Sequence, residues 1–133
     1  MTNKFNALNL ILDHQEGTFI RTQTNIYAHS QQSFDKGLEH IKKVIKTQSK
    51  NCFSKVILTI QLEELIESSY KTHETKRYII EFYEGCSIEY RPYDELERSY
   101  PAKSTEQYSS ATKLINELLK ELKIIFEINV NYI

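Results

Sequence analysis

Glycine occurs only three times in the chain, at Gly17, Gly37 and Gly85. A loop that cradles phosphate needs glycines clustered as Gly-x-x-x-x-Gly-Lys or Gly-x-Gly-x-x-Gly, so this chain cannot build one. No nucleotide-type cofactor is expected, and nothing else in the sequence asks for a cofactor. Proline is as scarce, with Pro92 and Pro101 alone, and together these shortages predict few long irregular loops.

Cysteine is limited to Cys52 and Cys86, whose separation fits no Cys-x-x-Cys metal or redox spacing and makes no disulfide framework. Free thiols in a reducing cytosol are the expectation. Cys86 follows a glycine in a hairpin, not a helix N-terminus that could lower a thiol pKa. A Gly-x-Ser-x-Gly elbow for a nucleophilic serine is missing. His14, His29, His40 and His73 are scattered singly, with no His-x-x-x-His pair to set two imidazoles on one helix face. His73-Glu74-Thr75 is a lone His-x-Thr, where the phosphodiesterases that use this tripeptide need two. All four histidines read as surface or loop-packing residues. No metal site is expected.

Long apolar runs are missing as well. The stretch Ala7–Leu12 is interrupted by Asn9 and ends at Asp13, too short and polar for a signal-peptide core or a membrane span. A cytoplasmic protein without membrane contact is the expectation.

What the chain does hold suits one α+β domain over 1–133. At 133 residues it can bury well over half of its unfolded surface, and 40% hydrophobic with 26% charged residues is an ordinary globular balance. A net charge of −1 argues against a general nucleic-acid binder. The charge is uneven, however. Lys36, Lys42, Lys43, Lys46, Lys50 and Lys55 dominate one segment, and Glu81, Glu84, Glu89, Asp94, Glu95 and Glu97 another.

Periodicity places the elements. Leu8, Leu10 and Leu12 alternate, Glu16-Gly17 signals a turn, and Ile20, Thr22, Thr24 and Ile26 share one face of a second strand. The spacing of Phe5, Leu8, Ile11 and Leu12 also suits a short helix, so 1–17 stays open between strand and helix. Ser33 can cap a helix carrying Phe34, Leu38, Ile41 and Ile45, in which Gly37 is a weak point. Val56, Leu58, Ile60 and Leu62 alternate as a strand, and Glu63–Tyr70 suits a helical turn or two. Arg77–Tyr83 and Cys86–Arg91 make a hairpin around Glu84-Gly85, with Tyr78, Ile80, Phe82, Ile88 and Tyr90 on its buried side. Pro92, lacking an N–H, should stop the pairing. Ser104 and Gln107 form a capping box for a helix over 105–122 with Tyr108, Ala111, Ile115, Leu118, Leu119 and Leu122 as its stripe. Ile124, Phe126, Ile128, Val130 and Tyr132 then alternate as a terminal strand. The expected fold is a mostly antiparallel sheet with two main helices in the order β-β-α-β-β-β-α-β. That order reads either as a tandem ββαβ pseudo-repeat or as an accident of α+β patterning.

The positive functional signal is the stretch from Tyr83 to Tyr108. Tyr83, Tyr93 and Tyr100 are interleaved with Glu84, Glu89, Asp94, Glu95 and Glu97 and with Arg91 and Arg98. Tyrosine and arginine are favoured at interfaces for their large contact area and polar tips, and acidic neighbours complement a basic partner. These ten residues are the candidate partner-binding set. The run Glu84-Gly85-Cys86-Ser87-Ile88-Glu89-Tyr90, followed by Asp94, Leu96, Ser99, Tyr100 and Pro101, resembles the strand-and-loop signature of the YezG-like immunity proteins. The likeness covers under a fifth of the chain. It implies a protein that neutralises a polymorphic bacterial toxin by binding it.

The expected function is therefore a non-enzymatic immunity protein or antitoxin-like inhibitor whose partner is a cognate toxin domain, with a nuclease, which would be basic, as one candidate. Two alternatives remain. One is a small hydrolase using Glu81, Glu89 and His73 for acid–base chemistry, since carboxylates (Glu63-Glu64 and Asp94-Glu95 among them) are plentiful. The other is a nucleic-acid accessory protein that binds through Lys36, Lys43 and Lys50, spaced by seven.

Overall fold

A computed structural model describes residues 5–16, 20–51, 54–82, 88–93, 106–108 and 110–130, with the backbone alone for 15–16, 20, 74–76, 88–93 and 106–108. The elements are β1 (Ala7–Glu16), β2 (Ile20–Ala28), α1 (Gln31–Gln48), β3 (Lys55–Ile66), β4 (Ser69–Phe82), β5 (Ile88–Tyr93), β6 (Glu106–Tyr108) and α2 (Ala111–Asn129). The six strands form one sheet in the order β2-β1-β3-β4-β5-β6, with every neighbouring pair antiparallel. The α+β class and the antiparallel sheet with two helices are as the sequence implies. The choice over the first segment resolves to strand. The turns read at Glu16-Gly17 and Glu84-Gly85 involve residues outside those described.

Sheet register explains the core. Leu10 lies opposite Ile60, Leu12 opposite Leu58, Leu58 opposite Tyr78 and Val56 opposite Ile80, so the even-numbered positions stack on one face. All of these are buried, and the helices cover them. On α1, Phe34, Leu38, Ile41, Val44 and Ile45 face the sheet. Gly37 is no weak point: a Cβ there would come within 2.8 Å of Ile26 Cγ2 on β2, so glycine is what lets the helix approach this closely. Phe34 stacks on Phe126 of α2, ring centroids 4.1 Å apart and planes 3° from parallel, which fixes one helix against the other.

Helix starts are set by serine. Ser30, not Ser33, caps α1; its hydroxyl accepts from Ser33 N at 3.2 Å while Ser33 Oγ accepts from Ser30 N at 3.0 Å. Ser33 thus fills the return half of the capping box. Likewise Ser110 caps α2, accepting from Lys113 N at 3.3 Å. The box expected from Ser104 and Gln107 does not form, because Gln107 belongs to β6, where it lies opposite Glu89. Tyr108, expected on the helix stripe, is in that strand too.

Four further expectations are corrected. The terminal strand from Ile124 is helix as far as Asn129, since Leu118, Leu122, Phe126 and Val130 continue the four-residue spacing without a breaker. The consequence is that Ile124 and Ile128 are exposed. Without that strand among the described residues, the second half, β4-β5-β6-α2, is βββα rather than a repeat of ββαβ. The segment Glu63–Tyr70 is not helical: a register shift at Gln61/Glu63 carries β3 on to Ile66, and β4 begins at Ser69. Pro92 does not end pairing but lies opposite Tyr78, with Tyr93 opposite Arg77. Proline is tolerated there because β6 pairs only with Ile88–Tyr90, leaving the outer edge of β5 unpaired at Pro92 among the described residues. Finally, His14 is no surface residue. It is buried where β1 meets the end of α1, its Nδ1 accepting from Gln48 Nε2 at 3.2 Å.

Among the described residues, no helix is long and apolar enough to cross a membrane.

Candidate functional site

Both helices sit on the even-numbered face, so the odd-numbered face is bare of helices among the described residues. Register builds its rows. One runs Asp13, Ile57, Ile79, Arg91, and the next Ile11, Thr59, Arg77, Tyr93. A third joins Lys55, Glu81 and Glu89. Ile11, Ile57 and Ile79 are half-buried, an apolar strip flanked by polar side chains. Arg77 Nε donates to Thr59 Oγ1 at 3.3 Å, and Arg21 Nη2 meets Asp13 Oδ2 at 2.6 Å. Three of the ten candidate residues, Glu89, Arg91 and Tyr93, thus occupy register positions on the bare face. Tyr83, Glu84, Asp94, Glu95, Glu97, Arg98 and Tyr100 lie outside the described residues.

The register shift in β3 creates a second feature that the sequence reading missed. It sets Glu63 opposite Thr72 and Leu65 opposite Tyr70. Glu63 is only 4% exposed, and both of its carboxylate oxygens lie 3.0 Å from the Thr72 hydroxyl, the donor they share. No cation pairs with it among the described residues. Above it, Tyr27 and Tyr70 meet edge to face, centroids 5.4 Å apart at 72°. The Tyr27 hydroxyl is held above its usual pKa, first by burial, then by the negative charge of Glu63 and by Tyr70. Tyr70 is 55% exposed and Leu65 47%, so the corner is an aromatic and apolar rim around a sunken negative charge. Burying a carboxylate without a cation is costly, and a guanidinium or ammonium arriving beside the ring pair would relieve that cost. The signal in the sequence was faint: Tyr27 and Tyr70 stand far apart in the chain, and only the register shift brings them together.

The acid–base set does not assemble. Glu81 and Glu89 are cross-strand partners, but His73 is eight residues back along β4, roughly 26 Å at strand rise. His73 instead contacts Glu64 at 3.2 Å and packs edge-on against Phe5. Among the described residues, no group of three His, Cys, Asp or Glu side chains is placed to hold a metal ion. On α1, Lys36 and Lys43 are exposed, while Lys50 lies in the turn beyond the helix. Comparison with known proteins finds no matching family model, no similar curated protein and no similar solved structure.

Proposed function

We propose that this chain is a non-enzymatic, cytoplasmic binding protein of the immunity or antitoxin-like kind, which occludes a basic bacterial toxin domain with the bare face of its sheet. The observation that carries the reading is the Tyr27–Tyr70–Glu63 corner. An exposed tyrosine pair over a sunken carboxylate that no cation of the described residues pairs with is suited to gripping an arginine or lysine of a partner. The acidic stretch Glu81–Glu97 has the sign that steers such a partner in, and Glu89 lies on the same face by register. A nuclease toxin fits, because its substrate-binding surface is basic.

Co-expression with the products of adjacent genes tests the class. One neighbour should be toxic alone and harmless beside this chain; if none is, the reading fails. For the pair so found, Glu63→Gln and Tyr70→Ala should each weaken binding by roughly thirtyfold, about 2 kcal/mol, as hot-spot truncations do. Calorimetry reads this directly. Unchanged affinity in both variants removes the corner from the interface.

A further inference from the structure

β2 is an edge strand of nine residues, and no strand of the described residues pairs with its outer side. Such edges usually carry protection: lysines, a proline, a bulge, or very short length. β2 has none of these. Its register with β1 runs unbroken from Glu16–Ile20 to Leu8–Ala28, and its single charge, Arg21, is already paired with Asp13. The opposite edge of the sheet, β6, is only three residues long.

From this edge we infer that the chain pairs with a second copy of itself, β2 against β2, antiparallel about a two-fold axis at Thr24. Thr24 is the central residue, so this register uses all nine positions. It is also self-complementary. Gln23 meets Asn25 of the second copy, two amides able to bond each other. Arg21, its charge held by Asp13, falls opposite the uncharged Tyr27. On the other face Thr22 meets Ile26 and Ile20 meets Ala28. No like charges meet anywhere along the seam. Because even positions face even positions, both helical layers fall on one side and the two bare faces join into one surface.

The test is sedimentation velocity of the full chain over a dilution series. The native chain should dimerise reversibly. Gln23→Lys with Asn25→Lys sets like charges opposite each other twice and should raise the dimer dissociation constant about tenfold or more. Gln23→Glu with Asn25→Lys sets opposite charges there and should restore the dimer to native strength or better. Both positions are exposed in the single chain, so circular dichroism should show every variant folded. A native chain that stays monomeric throughout, or a dimer that ignores both double substitutions, overturns the inference.

Discussion

Tyr27 joins chemistry to fold at a single position: the residue is exposed, yet partial burial of its hydroxyl and then the charge of Glu63 raise its pKa. Its pKa in the folded chain is raised above 10.0, so the unfolded chain gives up that proton first as the pH climbs. The stabilisation linked to it is complete below the unfolded value and is lost as pH rises through the folded one. Urea midpoints measured on either side of pH 10 should therefore fall more steeply for the native chain than for Tyr27→Phe. Equal slopes would show that the hydroxyl senses no such field. None of this was legible from residue order, since the neighbours of Tyr27 come from another strand pair. In the sequence Glu63 and Glu64 are simply adjacent carboxylates. The pleat separates them, with Glu63 bonded to Thr72 and Glu64 to His73.

At the scale of elements, simple periodicity was informative where one face was buried and misleading where two patterns overlapped. β3 and α1 were readable because Val56, Leu58, Ile60 and Leu62 alternate and Phe34, Leu38, Ile41 and Ile45 step by three and four. The segment after Leu122 satisfies both periods: Ile124, Phe126 and Ile128 alternate, while Leu122, Phe126 and Val130 step by four. Packing decided for the helix, because Phe126 gains the face of Phe34. The β3–β4 turn was hidden for a different reason. Glu67 and Ser68 both adopt positive φ, 46° and 69°, in a two-residue loop between Ile66 and Ser69. That geometry is usually announced by Asn-Gly, and other residues hold it at a cost of about 1 kcal/mol each. Glu67→Asn with Ser68→Gly should accordingly raise unfolding stability by about 1 kcal/mol, after the extra chain entropy of glycine is subtracted. Chemical denaturation checks it, and a loss of stability would mean the native pair makes contacts that outweigh its strain.

Among the described residues the whole molecule is a two-layer structure, a sheet with helices on one face only. The α+β class was legible because hydrophobic positions alternate cleanly over most strands. The bare face was not, because its residues (Ile57, Ile79, Thr59, Arg77) are individually unremarkable and become a surface only through strand order. Strand order also sets a hierarchy of stability. β1 and β3 are flanked on both sides and covered by helices, whereas β2 and β6 are edges. Amide exchange should be slowest in β1 and β3, approaching the global unfolding limit, and fastest in β6. Uniform protection across the sheet would contradict this order. β1 leaves the ribosome before β3, its second neighbour in the sheet, and α1 must be made in between. Until residue 66 emerges, Leu8, Leu10 and Leu12 wait beside an unclaimed backbone edge. A translational pause between Ala28 and Lys55 is thus the interval in which a nascent chain is most exposed to sticking, and in which a chaperone would have most to shield.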